Sequence, residues 1–176
     1  MAAHANPLVS VDEYLRSDYE PDCDYVDGEL VERHLGERDH GETEGAIYTY
    51  FKGKGRRPNL RVYLEQRMRV TRTRYRVPDV CVTIGPKPTE QVFTQPPAII
   101  VEVLSPEDRL QRMRQRVEDY LNFGVSSVWL VDPIARRGWV WDRTGMREVP
   151  DGILHDAALD VTLPLPEIFA AIDADE

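Results

Sequence analysis

Two short apolar segments, each with one carboxylate inside it, constrain this chain most. They are residues 77–82 (VPDVCV), which contain Asp79, and residues 99–105 (IIVEVLS), which contain Glu102. Such short apolar runs between turn signals are typical of buried strands. An ionised carboxylate in a buried strand is costly unless a cation or hydrogen bonds compensate it. The two segments, joined by the loop at residues 85–97, therefore predict a metal site with two carboxylates.

Taken one at a time, the two carboxylates also fit structural roles. Asp79 could cap a turn after Pro78, and Glu102 could pair with one of the many arginines. Taken together they favour the metal site, because the surrounding sequence supplies the rest of a known pattern.

That pattern is the PD-(D/E)xK nuclease motif, and the chain resembles one branch of this superfamily, the Uma-type endonucleases. The resemblance covers about residues 10–143, and the order of the motifs is preserved. The motifs that carry it are residues 25–32 (YVDGELVE), 78–80 (PDV), 101–106 (VEVLSP), 124–125 (GV) and 129–133 (WLVDP).

The resemblance implies a set of functional residues. Asp79 and Glu102 would bind Mg or Mn together with the backbone carbonyl of Val103, since hard cations take oxygen ligands. The motif's lysine is replaced by Leu104. In the Uma-type proteins a lysine four residues before a helix tyrosine takes its place, and that position is Arg116 here. A guanidinium cannot act as a general base near neutral pH, so Arg116 is expected to be a phosphate clamp.

The superfamily analogy also predicts ligands from the N-terminal region. Glu29, Glu32 and Glu44 are candidates for a further acidic ligand, and Glu32 and Glu44 fit best. Each of them also fits a surface position. His40, where the family often has a histidine, could touch substrate or cap the helix that follows.

The charge distribution points to a nucleic-acid partner despite a formal net charge of -9. Residues 52–76 contain ten Lys and Arg residues and one acid, Glu65. Alternating positions on a strand share one face, so cations could line one side of a hairpin beside the metal site. A solvated surface is the other interpretation of such a run. The candidates for substrate binding are Arg67, Arg69, Arg74 and Arg76.

Length and pattern predict a single α/β domain over residues 1–176, with a core at about 10–143 and a C-terminal extension at 144–176. The resemblance implies a restriction-endonuclease-like mixed β-sheet flanked by helices, and the sequence itself predicts an N-terminal β-hairpin that turns at Asp27-Gly28. Helices are predicted at about 37–51, 107–123 and 165–172, and a short one begins after Ser10. Strands are predicted at 60–65, 66–71, 77–84, 98–104, 127–132 and 137–142.

The expected function is metal-dependent endonuclease cleavage of DNA by a cytoplasmic protein without a membrane span. A homodimer is expected because two cuts in duplex DNA need two sites related by symmetry. Two alternatives stay open. The first is a nucleic-acid-binding protein that keeps the nuclease fold without cleavage, and the second is a structural or interaction domain. Cys23 and Cys81 have no zinc-type spacing and are predicted to be buried free thiols.

Overall fold

A computed structural model describes residues 8–33, 37–106 and 110–174 of the chain. The helices in these ranges are α1 (Val11–Arg16), α2 (Arg38–Lys52), α3 (Leu110–Phe123) and α4 (Leu165–Asp173). The strands are β1 (Cys23–Val26), β2 (Glu29–Glu32), β3 (Leu60–Leu64), β4 (Met68–Thr71), β5 (Arg74–Arg76), β6 (Val80–Ile84), β7 (Ile99–Val103), β8 (Ser127–Asp132), β9 (Arg137–Asp142), β10 (Gly145–Glu148), β11 (Ile153–Asp156) and β12 (Val161–Pro164).

The centre of the fold is a mixed six-stranded sheet in the order β10-β9-β8-β7-β6-β3. β7 and β8 are parallel, and α3 connects them, whereas the other neighbours in the sheet are antiparallel. Val80 is paired with Val101 across β6 and β7. Asp79, just before β6, therefore comes beside the carboxyl end of β7, where Glu102 lies.

The two faces of this sheet have separate hydrophobic cores. Ile99, Val101 and Val103 of β7 pack with residues of α2 and α4, while Ile100 packs with the α3 stripe of Met113, Val117 and Leu121. Successive side chains on a strand point to opposite faces. Glu102 shares the face of Ile100, and this arrangement turns its carboxylate toward α3.

A second sheet, in the order β2-β1-β5-β4, carries the N-terminal hairpin. The predicted turn is confirmed, because Asp27 and Gly28 both have positive φ between β1 and β2. The side chain of Ser10 accepts a hydrogen bond from the Glu13 N–H, as expected of the residue that caps α1.

The predicted continuous strand at 77–84 is wrong in its first part. β5 ends at Arg76 in the second sheet, β6 begins at Val80 in the central sheet, and residues 77–79 cross between the two.

The α/β fold class is confirmed. Three further strands, β10 to β12, lie in the predicted extension, where buried Leu154, Leu163 and Ile168 join the core under α2. Both cysteines are buried and free. None of the described helices is long and apolar enough to cross a membrane.

Candidate metal and phosphate site

Asp79 is held at the point where the chain enters the central sheet. Its side chain is 4% exposed, and its Oδ2 accepts a 2.7 Å hydrogen bond from the backbone N–H of Val103. Arg33, which follows the hairpin, donates to Oδ1 of the same carboxylate. His40, near the start of α2, places Nε2 3.4 Å from Oδ2.

Glu102 is fully buried on the α3 face of β7. Its Oε1 accepts a 2.7 Å hydrogen bond from the Tyr120 hydroxyl, and its Oε2 accepts a 2.8 Å hydrogen bond from Nη1 of Arg116. The four-residue spacing on α3 brings both donors to the same side of the helix. Glu102 therefore pairs with an arginine, which is the alternative role that its position in the sequence left open.

Glu44 lies on the same side of α2 as His40, one turn later. The His40 Nδ1 is 3.6 Å from a Glu44 oxygen. Ligand atoms from His40, Glu44 and Asp79 all lie within 4.8 Å of one another. Carboxylate oxygens suit Mg and Mn, and imidazole nitrogen is a common ligand of transition metals. The donors present therefore fit a divalent metal ion.

The charges of these groups depend strongly on burial. Burial and the nearby charge of Asp79 raise the pKa of Glu44 to about 7. Burial also raises the pKa of Glu102, against the opposing effect of Arg116. Burial would raise the pKa of Asp79 as well, but His40 and Arg33 hold it below its usual range. Asp79 is thus the permanent anion, while Glu44 and Glu102 hold protons more tightly.

A network of ion pairs supports this site from the second sheet. Asp24 of β1 is 1% exposed and accepts hydrogen bonds from Arg76 at 2.8 Å and from Arg116 at 3.3 Å. Arg76 also donates to Asp119 of α3, at 2.6 and 2.9 Å. The second sheet is thereby tied to the helix that carries Arg116.

Several predicted site residues are exposed or have partners other than Asp79. Glu32 is exposed on β2, in contrast to Glu44. Arg67 lies over the Tyr14 ring, 4.7 Å from its centre, and Arg69 is exposed on β4. Arg74 and Arg76 do not form an open row of cations: Arg76 is 3% exposed, and Arg74 pairs with Asp27 and Asp119.

Sequence reasoning missed two residues of the site, Arg33 and Asp24. Arg33 contacts Asp79 from 46 positions earlier in the chain. Asp24 lies within the hairpin motif as an acid in an apolar strand, which is the same signal that marked Asp79 and Glu102. That signal could have found Asp24, but no local pattern marks Arg33.

A mixed sheet with helices on both faces, with one carboxylate just before a strand and another on the neighbouring strand, is typical of a restriction-endonuclease-like protein. The chain belongs to the family described as "Uma2: Putative restriction endonuclease", whose model matches residues 11–173. This membership supports a nuclease-like function.

A solved structure with the same fold is described as "a putative nuclease belonging to DUF820" from Anabaena variabilis. Its TM-score is 0.75 at 20% identity, over 93% of this chain and 99% of that chain. At this identity the likeness shows the fold alone. No curated protein matches the chain.

Proposed function

We propose that the chain is a metal-dependent endonuclease that hydrolyses phosphodiester bonds of DNA. The observation that carries this proposal is the buried Asp79 carboxylate, which adjoins Glu102 on one side and the His40–Glu44 pair on the other. Family membership supports the same function.

The ligands in this proposal are Asp79, Glu102 and the carbonyl of Val103, with Glu44 as the further acidic ligand. Glu44 is preferred to Glu32 because it lies in the cluster with Asp79, whereas Glu32 is exposed. A bound Mg or Mn ion would polarise the scissile phosphate and lower the pKa of a bound water. His40 contacts Asp79 through its Nε2, and we propose that it orients this carboxylate and touches substrate.

Arg116 is the proposed phosphate clamp. Glu102 and Asp24 hold its pKa above the usual range in spite of burial, so it stays a cation. Two of its nitrogens are occupied by these carboxylates, and its Nη2 has no hydrogen bond to another described residue. That nitrogen can donate to a phosphate oxygen, where charge-assisted hydrogen bonds are strong.

The remaining cations divide into two groups. Arg69 on β4 and Arg67, the residue just before this strand, are proposed to contact the DNA backbone. Arg74 and Arg76 were expected in the same role, but their carboxylate partners favour a supporting role.

The experiment that tests the proposal is a calorimetric titration with Mn, followed by cleavage of supercoiled plasmid. Asp79→Asn and Glu102→Gln keep the side-chain size and remove the charge. Both are expected to lose ion binding and cleavage, as is Glu44→Gln to a smaller extent. Glu42→Gln is the matched control, because Glu42 is exposed on the same helix. Ion binding that survives in Asp79→Asn would contradict the proposal.

A second candidate function is binding of nucleic acid without cleavage. This function is favoured by two ion pairs in which arginines already neutralise buried carboxylates, Arg33 with Asp79 and Arg116 with Glu102. In that case the protein would bind DNA in EDTA and neither take up Mn nor cleave plasmid.

A further inference from the structure

A small pocket lies between the N-terminal hairpin and α3, next to the carboxylates of Asp79 and Glu102. Four arginines and two acids are among its lining residues: Arg33, Arg76, Arg112, Arg116, Asp24 and Glu32. Arg33 also contacts Asp79, and Arg116 also contacts Glu102, so the pocket adjoins both carboxylates. We call it the arginine pocket.

The arginine pocket has hydrogen-bond donors left over after its internal ion pairs are formed. Asp24 is turned toward Arg76, Arg116 and the backbone N–H of Val77. The Arg33 side chain is 9% exposed, and its Nε is buried without a partner among the described residues. A buried donor without a partner is rare in native proteins and calls for a ligand or an ordered water.

Arg112 is the least buried of the four arginines that line the pocket. It is exposed and makes no hydrogen bond or ion pair with any residue in the described ranges. Its guanidinium therefore keeps all its donors, and the Nε of Arg33 adds to them. Such a set suits an acceptor with several oxygens and negative charge.

The size of the pocket limits what it can hold. Its volume is about 40 Å³. One water needs about 10–15 Å³, so there is room for one small oxyanion and not for a nucleoside.

We propose that the arginine pocket binds a phosphate group of the nucleic-acid strand, next to the phosphate that is cleaved. The choice of nucleic acid as the source of the phosphate rests on the proposed function, whereas the ability to bind an oxyanion does not. In this assignment Arg112 is a binding residue of the substrate strand, and Arg33 links the pocket to Asp79.

The test compares Arg112→Gln with Arg114→Gln. Arg114 lies two residues later on α3, is 70% exposed and pairs with Glu118 outside the pocket. Inorganic phosphate and a short DNA duplex are titrated into both variants and the wild type in EDTA, and the duplex titration is repeated at several salt concentrations. Arg112→Lys, which keeps the charge without the planar fork, is a second variant.

Arg112→Gln is expected to weaken phosphate binding about tenfold, which is what one charge-assisted hydrogen bond contributes. The slope of log K against log salt for the duplex should fall by about 1. Arg114→Gln should bind both ligands as the wild type does, and the affinity of Arg112→Lys should lie between those of Arg112→Gln and the wild type. Equal behaviour of the two glutamine variants in both titrations would overturn the proposal.

The partial outcomes also decide. A difference with the duplex alone supports the phosphate contact, and a difference with inorganic phosphate alone overturns the assignment to nucleic acid. Plasmid cleavage by the wild type in Mn is measured separately. Cleavage by the wild type without any effect of Arg112→Gln on binding leaves the proposed function intact and excludes the phosphate site in the pocket. An effect of Arg112→Gln on binding without any cleavage supports the phosphate site and contradicts the proposed function.

Discussion

Arg116 of α3 joins two buried carboxylates, because its Nη1 lies 2.8 Å from Oε2 of Glu102 and its Nε lies 3.3 Å from Oδ2 of Asp24. The first carboxylate belongs to the central sheet and the second to the hairpin sheet. One side chain thus links the proposed metal site to the N-terminal part of the fold. A planar guanidinium can serve both partners at once, and a lysine ammonium offers no such fork.

Arg116→Met should destabilise the protein by about 3 kcal/mol, because it leaves Glu102 and Asp24 buried with less compensation. Arg116→Lys keeps the charge and should lose less stability than Arg116→Met. The measurement is urea unfolding at neutral pH. Arg114→Gln is the control on the same helix and should stay within about 0.5 kcal/mol of wild type. An Arg116→Met variant as stable as this control would contradict the structural role.

Asp24→Asn should destabilise the protein at neutral pH and less so in acid. Burial would raise the pKa of Asp24, but Arg116 and Arg76 hold it below its usual range. A carboxyl with a lowered folded pKa contributes stability above its unfolded pKa of about 3.9 and loses it as pH falls through the folded pKa. The difference in unfolding free energy between wild type and variant should therefore shrink as the pH falls below about 4. A constant difference would show that the charge of Asp24 is not what matters.

Local periodicity predicted the elements that surround the site. Met113, Val117 and Leu121 recur every four residues, a spacing that puts them on one face of a helix, and the structure has this face of α3 in the core. The apolar run of β7 marked a buried strand, and its alternation puts Glu102 on the α3 face. These features depend on neighbours within a few positions, so one sequence is enough to find them.

The partners across the fold could not be predicted in this way. Arg74 and Arg76 do lie on the same side of β5, but α3 covers that side, and Asp119 of α3 pairs with both arginines. Arg33 reaches Asp79 only because the hairpin folds over the start of β6. Which cation meets which carboxylate is decided by the packing of two sheets and a helix, and the charge run alone does not contain that information.

The affinity for Mn should rise with pH through the neutral range. The pKa of Glu44 is raised to about 7, and the pKa of Glu102 and that of His40 are also raised. Below these values the ion must displace protons, and each proton displaced lowers the affinity about tenfold per pH unit. Calorimetry at pH 6 and pH 8 measures the slope. Glu44→Gln should give a shallower slope than Glu42→Gln, and equal slopes would exclude Glu44 as a ligand.

Tyr120→Phe should raise the pKa of Glu102 further, because the ionised carboxylate loses the hydrogen bond from the Tyr120 hydroxyl at 2.7 Å. A hydrogen bond to a charged group contributes about 1.5–3 kcal/mol. We expect weaker Mn binding at neutral pH that recovers at higher pH. Tyr63→Phe is the control, since Tyr63 packs against Phe93 away from the carboxylates. Mn binding that is unchanged at every pH would contradict a ligand role for Glu102.

Arg33→Met should strengthen Mn binding while it weakens the metal-free fold. Arg33 is the cation in contact with Asp79, and two like charges at about 4 Å repel by about 4 kcal/mol at an effective dielectric constant of 20. Removal of this cation should raise the Mn affinity at least tenfold. Without the ion, the variant leaves buried Asp79 with only His40 and the Val103 N–H as partners among the described residues, so its unfolding free energy in EDTA should fall and be restored by Mn.

Arg72→Met is the control for this variant, since Arg72 is exposed in the turn between β4 and β5. Its Mn affinity and stability should match those of wild type. If Arg33→Met bound Mn no more tightly than Arg72→Met, the ion would not compete with Arg33 for Asp79. Asp79 would then be a structural partner of Arg33 and not a ligand of the ion.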